Sequence, residues 1–253
     1  MPSLIVDAHA HLTDAPSAAE LDALLARAAE RSVAAVVTAA ARPDDWDAVS
    51  RLTGRTGKVR LAGTLGIHPW YASMAGPGVI GRLREAVCRL ETPLIGEIGL
   101  DFGPRGLAAA PQERQRELFA AQLGLADALA VPVVVHAYRT GGALFAAIRS
   151  CRRIPAVLVH GSIEPVPREA VSERFFFSFS AAQTAPDRRR GREAVRRLAL
   201  SAPEQIVPES DYPAGGREPA GVVETAALLE ELGARPSIAA ARFSEAFGLF
   251  SPK

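Results

Sequence analysis

The sequence predicts an α/β protein, a single (β/α)8 TIM barrel domain spanning residues 1–253. Short β-branched or apolar runs alternate along the chain with longer amphipathic Ala/Leu/Arg/Glu-rich segments, the pattern of parallel strands joined by crossover helices. Eight such units in 253 residues come to about 32 residues each, an ordinary pitch for this barrel. All five histidines, His9, His11, His68, His136 and His160, fall at or just past the C-terminal end of an expected strand. In a barrel those ends converge on the open face where catalytic groups collect. The alternation by itself also fits an open, doubly wound sheet.

In chain order the strands are expected at Leu4–Val6, Val33–Thr38, Leu61–Gly66, Leu94–Gly99, Val133–His136, Ala156–His160, Phe175–Phe179 and Gln205–Pro208. The intervening helices are expected at Ala18–Arg31, Pro43–Gly54, Val79–Leu90, Pro111–Ala130, Gly142–Cys151, Pro165–Glu173 and Asp187–Ala199. Two more, Pro219–Leu232 and Ser237–Phe247, close the chain. Pro111 and Pro165 stand where a helix begins and a missing N–H costs nothing, and Gly233 follows Leu232 as a stop. No linker, charge block or break in composition divides the chain.

Lys+Arg 29 against Asp+Glu 28 leaves a net charge of +1, so bulk charge does not favour capture of nucleic acid or of an acidic membrane. A hydrophobic content of 48% with 23% charged residues excludes disorder as the overall state. Cys88 and Cys151 cannot form a disulfide framework, and a reducing cytoplasm is the expected setting. The longest apolar runs fall far short of the ~20 residues that cross a bilayer, so no membrane association is expected.

The chemistry concentrates at the strand ends. In Asp7-Ala8-His9-Ala10-His11 the alternation of an extended segment turns His9 and His11 to one side, where they can grip one metal ion. Glu97 stands among apolar residues and glycines in a strand that should be buried, and an isolated buried carboxylate needs a cation. Some metal-hydrolase barrels bridge two ions with a carbamylated lysine. Here Lys58 precedes a strand and Lys253 is the last residue, so Glu97 is the sensible bridge. His136 and His160 each close a β-branched strand. Asp211, after the last strand, can ligate a metal or act as general base on a water. Trp70 and Tyr71 sit on a rim loop as stacking candidates. The basic run Arg188 to Arg197 reads as the solvated face of a helix, and Phe175-Phe176-Phe177 as strand core.

Together these stretches resemble the TatD family of metal-dependent hydrolases. Asp7 to Leu12 is similar to the family's D-x-H-x-H-L, Gly66-Ile67-His68-Pro69 to its G-x-H-P, and Gly96 to Phe102 to its G-E-I-G-L-D-[YF]. His136 after Pro132 matches P-V-x-x-H, His160 the later histidine strand, and Glu209 to Pro213 the E-[TS]-D-x-P stretch. The resemblance implies two divalent ions, Mg²⁺, Mn²⁺ or Zn²⁺, one held by His9, His11, Glu97 and Asp211 and the other by Glu97, His136 and His160. It also implies that His68 contacts substrate phosphate or a water. The implied activity is hydrolysis of DNA, including removal of nucleotides from its ends, with Glu97 and Asp211 catalytic.

Departures fall outside this shell. His160 is followed by Gly161-Ser162-Ile163-Glu164 instead of C-F-S-G. Tyr138 takes the place where an arginine is common, with Arg139 shifted by one, and only a trace of R-x-E-P remains at Arg217 to Pro219. With Arg139 and Trp70 as further substrate contacts, DNA or another phosphate ester is the expected partner, and no protein partner is evident. The altered loops keep open a hydrolase of another ester or amide, such as a lactone, a cyclic amide or an aminoacyl ester. A barrel that has lost catalysis is a third reading.

Overall fold

The computed structural model describes residues 4–168, 171–215 and 217–250. Among these, eight parallel strands appear where the sequence places them: β1 Ile5–Ala10, β2 Val33–Ala39, β3 Arg60–Thr64, β4 Ile95–Asp101, β5 Val133–Tyr138, β6 Val157–His160, β7 Phe175–Phe179 and β8 Ile206–Pro208. Pairing runs β1-β2-β3 and β4-β5-β6-β7-β8 in sequence order. Backbone hydrogen bonds join the two sets at both seams. Gly96 N–H donates to the Leu65 carbonyl at 3.0 Å, and on the other side Asp211 N–H donates to His9 and His11 N–H to Tyr212, at 2.9 and 2.8 Å. The ring of strands is thereby closed, and the open-sheet alternative falls.

The helices are α1 Ala18–Glu30, α2 Trp46–Thr53, α3 Val79–Cys88, α4 Pro104–Ala109, α5 Gln112–Leu129, α6 Ala143–Arg149, α7 Ala181–Thr184, α8 Arg189–Ala199, α9 Val222–Glu231 and α10 Pro236–Ala246. Ser17 caps α1 by accepting a hydrogen bond from Glu20 N–H at 3.1 Å. On α8, Gly191, Ala194, Val195 and Leu198 are buried while Arg188, Arg189, Arg190, Arg196 and Arg197 are exposed, the solvated basic face that the sequence predicts. The helix expected over Pro165–Glu173 does not form along Pro165–Pro167, where the chain is irregular. Pro167, two residues after Pro165, would break a helix interior and drives Val166 towards extended backbone. Residues 169 and 170 of that expected helix lie outside the described residues. The short α4 and α7 were not expected, being too short to show a helical period.

Alternation along the strands sorts the core into two layers, as in a parallel sheet buried on both faces. Phe175, Phe177 and Phe179 pack under the helices. Phe176 points inward with Val134, Leu158 and Val207, where Phe243 of α10 and Phe247 just after it plug one end of the barrel. Two residues further along these same inward faces stand His136, His160, Ser178 and Glu209. The period that fills the barrel with apolar side chains therefore delivers a polar layer at its C-terminal end.

Candidate metal centre

Glu97 lies at the centre of that layer with 2% of its surface exposed. Its two oxygens face different imidazoles. Oε2 is 3.4 Å from His9 Nε2 and 3.2 Å from His11 Nε2. Oε1 is 3.0 Å from His136 Nδ1, 3.2 Å from His160 Nε2 and 3.6 Å from His68 Nε2. Asp211 lies at the rim beside His9, with Oδ1 4.0 Å from His9 Nε2. His9 and His160 stack at 4.1 Å between ring centres, so the two groups of imidazoles touch. Candidate cation-binding triads recur across the cluster: His9–His11–Glu97, His9–His160–Asp211 and His68–Glu97–His136.

Backbone placement explains how so many polar groups converge. Gly99 has φ +144°, and a Cβ there would lie 2.1 Å from the His136 carbonyl oxygen, so only glycine lets β4 and β5 run this close. Asp211 has φ +48°, a left-handed conformation that aspartate tolerates better than most residues. Asp7, fully buried, ties β1 to the Asp211 turn by accepting hydrogen bonds from Ser210 N–H at 2.8 Å and the Ser210 hydroxyl at 2.6 Å. Burial pushes the Asp7 carboxyl up to about 8 despite these donors.

The outer partners of the rings fix which nitrogen faces inward. His11 Nδ1 lies 3.1 Å from the Ala39 carbonyl, which only accepts, so Nδ1–H donates to it and Nε2 is the nitrogen that faces Glu97. His160 Nδ1 lies 3.2 Å from both oxygens of the buried Glu209 carboxylate, which also accepts a hydrogen bond from Ser178, and Nε2 faces inward. His136 presents Nδ1 to Glu97, while its Nε2 is 3.5 Å from Asp101 Oδ2. His68 differs. Its Nδ1 accepts a hydrogen bond from Trp70 N–H at 3.2 Å, so the neutral ring carries its proton on Nε2 and aims a donor at the centre.

Charge follows geometry. Burial opposes a charged Glu97, but His68, His9 and His160 outweigh it and hold the carboxyl well below its usual range. Burial likewise opposes charge on His160, and Glu209 with Glu97 raises it well above the ordinary imidazole value. In His11 and His136 burial is also outweighed, by Glu97 in the first and by Asp101 and Glu97 in the second, and both are raised. His9, fully buried, is lowered to about 4 by burial and by His160, and both its ring nitrogens lack a hydrogen-bond partner. His68 is lowered well below its ordinary value, chiefly by burial. Protons can satisfy the other rings, but the neutral, buried His9 has no hydrogen-bond partner at either nitrogen and stands with Nε2 3.4 Å from the Glu97 carboxylate, an arrangement that a cation between them would satisfy. The donor set therefore fits divalent metal.

All six expected ligands, His9, His11, Glu97, His136, His160 and Asp211, converge here, as does His68. Trp70 stands next to them but does not offer a free face. Its Nε1–H donates to Asp101 Oδ2 at 2.6 Å, and the Arg105 guanidinium carbon lies 3.8 Å from the ring centre. Arg139 is exposed, with φ +56°, and its guanidinium lies 5.5 Å from the Tyr138 ring centre. Asp101 and Glu209 were not singled out from sequence as members of the site. Both stand inside recognised stretches, and a buried carboxylate four residues from Glu97, or two from Asp211, was the available signal.

A family model described as TatD related DNase matches residues 6–246. The human protein named Deoxyribonuclease TATDN3 is 28% identical over 225 residues, covering 85% of this chain and 80% of its own. The 3'-5' ssDNA/RNA exonuclease TatD of Cronobacter turicensis is 32% identical over 154 residues, 59% of this chain and 56% of its own. The crystal structure of YjjV, a TatD homologue from Escherichia coli, superposes with a TM-score of 0.80 at 25% identity and full coverage of both chains. This chain belongs to the TatD-related DNase family and is a hydrolase of ester bonds.

Proposed function

We propose that this single barrel domain is a two-metal phosphodiesterase that removes nucleotides from DNA ends. The observation that carries the reading is the division of the Glu97 carboxylate, with Oε2 turned to His9 and His11 and Oε1 turned to His136 and His160. A carboxylate divided in this way could join two ions. His9, His11, Glu97 and Asp211 would hold one, and Glu97, His136 and His160 the other. When bound, such ions would supply an activated water and charge to offset the attacking and leaving oxygens of a phosphodiester. Imidazole-rich donors suit Zn²⁺ better than Mg²⁺ or Mn²⁺.

The chain's own groups supply the rest. Asp211, 18% exposed, faces the mouth more openly than Glu97 and is the group to take the proton of the attacking water. Backbone bonds hold it there, from its own N–H to His9 and from Gly215 N–H to its carbonyl. His68 Nε2–H donates to a phosphate oxygen and stabilises the charge that develops on it. DNA as substrate is supported by the activities named for the relatives TATDN3 and TatD.

The test is hydrolysis of single-stranded and duplex DNA with Mg²⁺, Mn²⁺ or Zn²⁺, beside Glu97→Ala. Metal-dependent shortening from an end, abolished by the substitution, is expected. Activity that survives chelation or the substitution overturns the reading. A parallel panel of lactones, cyclic amides and aminoacyl esters, cleaved while DNA is untouched, reassigns the substrate to another ester or amide.

A further inference from the structure

Two features beside the centre are not used by the chemistry above. The first is Arg105, exposed in the first turn of α4 with its guanidinium stacked on Trp70. Among the described residues no carboxylate pairs with it. Trp70 is held from behind by Asp101 and meets His68 edge-on at 4.7 Å between ring centres. A further 3.8 Å from the Trp70 ring to the guanidinium carbon puts that carbon within about 8.5 Å of the His68 ring. Stacking covers one face of the guanidinium and leaves its in-plane N–H groups free, the edge that grips a phosphate in a fork.

The second feature is Tyr138, two residues beyond His136 on the inward face of β5 and 45% exposed. Its ring lies against Gly103, where a Cβ would approach Tyr138 Cε1 to 2.5 Å, so that glycine makes room for the ring. Gly103 is also the residue just before α4, and its N–H donates to Asp101 Oδ1 at 2.8 Å. The exposed Tyr138 ring, with the Arg139 guanidinium 5.5 Å from its centre, and the Arg105 guanidinium therefore flank the same short turn, which Asp101 ties to the metal centre.

We propose that Arg105, seated on Trp70, and the exposed ring of Tyr138, from which the side chain of Arg139 swings aside, form a second subsite that takes the phosphate and the base of the nucleotide adjoining the scissile bond. The substrate is then a single-stranded oligonucleotide in preference to an isolated phosphate ester, because a flat aromatic platform needs an unpaired base. This rests on the phosphodiesterase reading. On this proposal Trp70 acts by supporting the guanidinium that meets the substrate.

The experiment compares oligo(dT) with bis(p-nitrophenyl) phosphate, a diester that has no neighbouring phosphate, in the wild type, Arg105→Ala, Tyr138→Ala and Tyr138→Phe. Binding of a cleavage-resistant phosphorothioate oligo(dT) is followed by fluorescence anisotropy. Arg105→Ala should raise KM and Kd for the oligonucleotide about tenfold, as loss of one charge-assisted contact. Its effect on the small diester should be at least about fivefold smaller than on the oligonucleotide. The slope of log Kd against log salt should fall by about 0.7, one phosphate contact on a single strand. Tyr138→Ala should weaken oligonucleotide binding and Tyr138→Phe should restore it. Equal losses on both substrates, or an unchanged Kd in Arg105→Ala, overturn the subsite. A wild type that cleaves neither diester overturns the phosphodiesterase reading alone. Anisotropy then still decides the subsite, which Arg105-dependent binding supports and absent or Arg105-independent binding overturns.

Discussion

Replacing Glu209 by glutamine tests how the centre is oriented. Glu209 is fully buried and holds His160 Nδ1 at 3.2 Å from each oxygen, with Ser178 as a further donor. Glutamine keeps the shape and one acceptor for Nδ1–H, but it removes the charge that makes His160 a strong base. Outer partners of metal-bound histidines are worth about 10–100-fold in metal affinity, or roughly 1.4–2.7 kcal/mol. Of the Glu97 oxygens, His160 Nε2 lies 3.2 Å from Oε1, so the loss should fall chiefly on the ion assigned to His136 and His160. In a calorimetric titration of metal-free protein with Zn²⁺ against a competing chelator, Glu209→Gln should weaken one binding step by that factor and leave the other within about twofold. An unchanged circular dichroism spectrum would show that the fold is intact. Equal weakening of both steps would refute the division of the site, and no weakening would refute the orienting role of Glu209.

Three further outcomes follow from the same geometry. His68→Gln should keep two ions per chain by elemental analysis and lower kcat about 100-fold, the scale of one lost donor to a developing anion; loss of an ion would make His68 a ligand. Metal affinity should rise from about pH 6 to about pH 8, because His11, His136 and His160 are raised above the ordinary imidazole value near 6.5 and metal must displace their protons, whereas His9, held near 4, is already neutral. Affinity flat or falling over that range in chelator competition contradicts this assignment. Gly99→Ala places a Cβ against the His136 carbonyl at a positive φ, and should destabilise the fold by about 3 kcal/mol or more in urea. A wild-type midpoint would contradict the need for glycine there.

Strand positions and the convergence of the histidines were legible because both follow from local period. Val134 and His136, or Leu158 and His160, share an inward face whatever the rest of the chain does. The pairing of Lys58 and Lys253 with uninformative positions pointed to Glu97, and the buried centre agrees. What the sequence could not show was set by contacts distant in the chain. That Glu97 divides its oxygens depends on five histidines at or beyond four strand ends. That Trp70 is occupied depends on Arg105, 35 positions later, and on Asp101. Arg139, one place beyond Tyr138, has a left-handed backbone and its guanidinium lies 5.5 Å from that ring, a placement that follows from the turn and not from sequence spacing. The helix written over Pro165–Glu173 failed on Pro167, which the apolar pattern outweighed in the reading of the sequence.

The central claim is that Glu97 joins two ions held by different histidines. Anomalous scattering from a crystal grown with Mn²⁺ or Zn²⁺ tests it most directly. Two peaks are expected flanking Glu97, one bounded by His9, His11 and Asp211 and the other by His136 and His160, both lost or depleted in Glu97→Ala. A single peak, or two peaks that do not share Glu97, would contradict it.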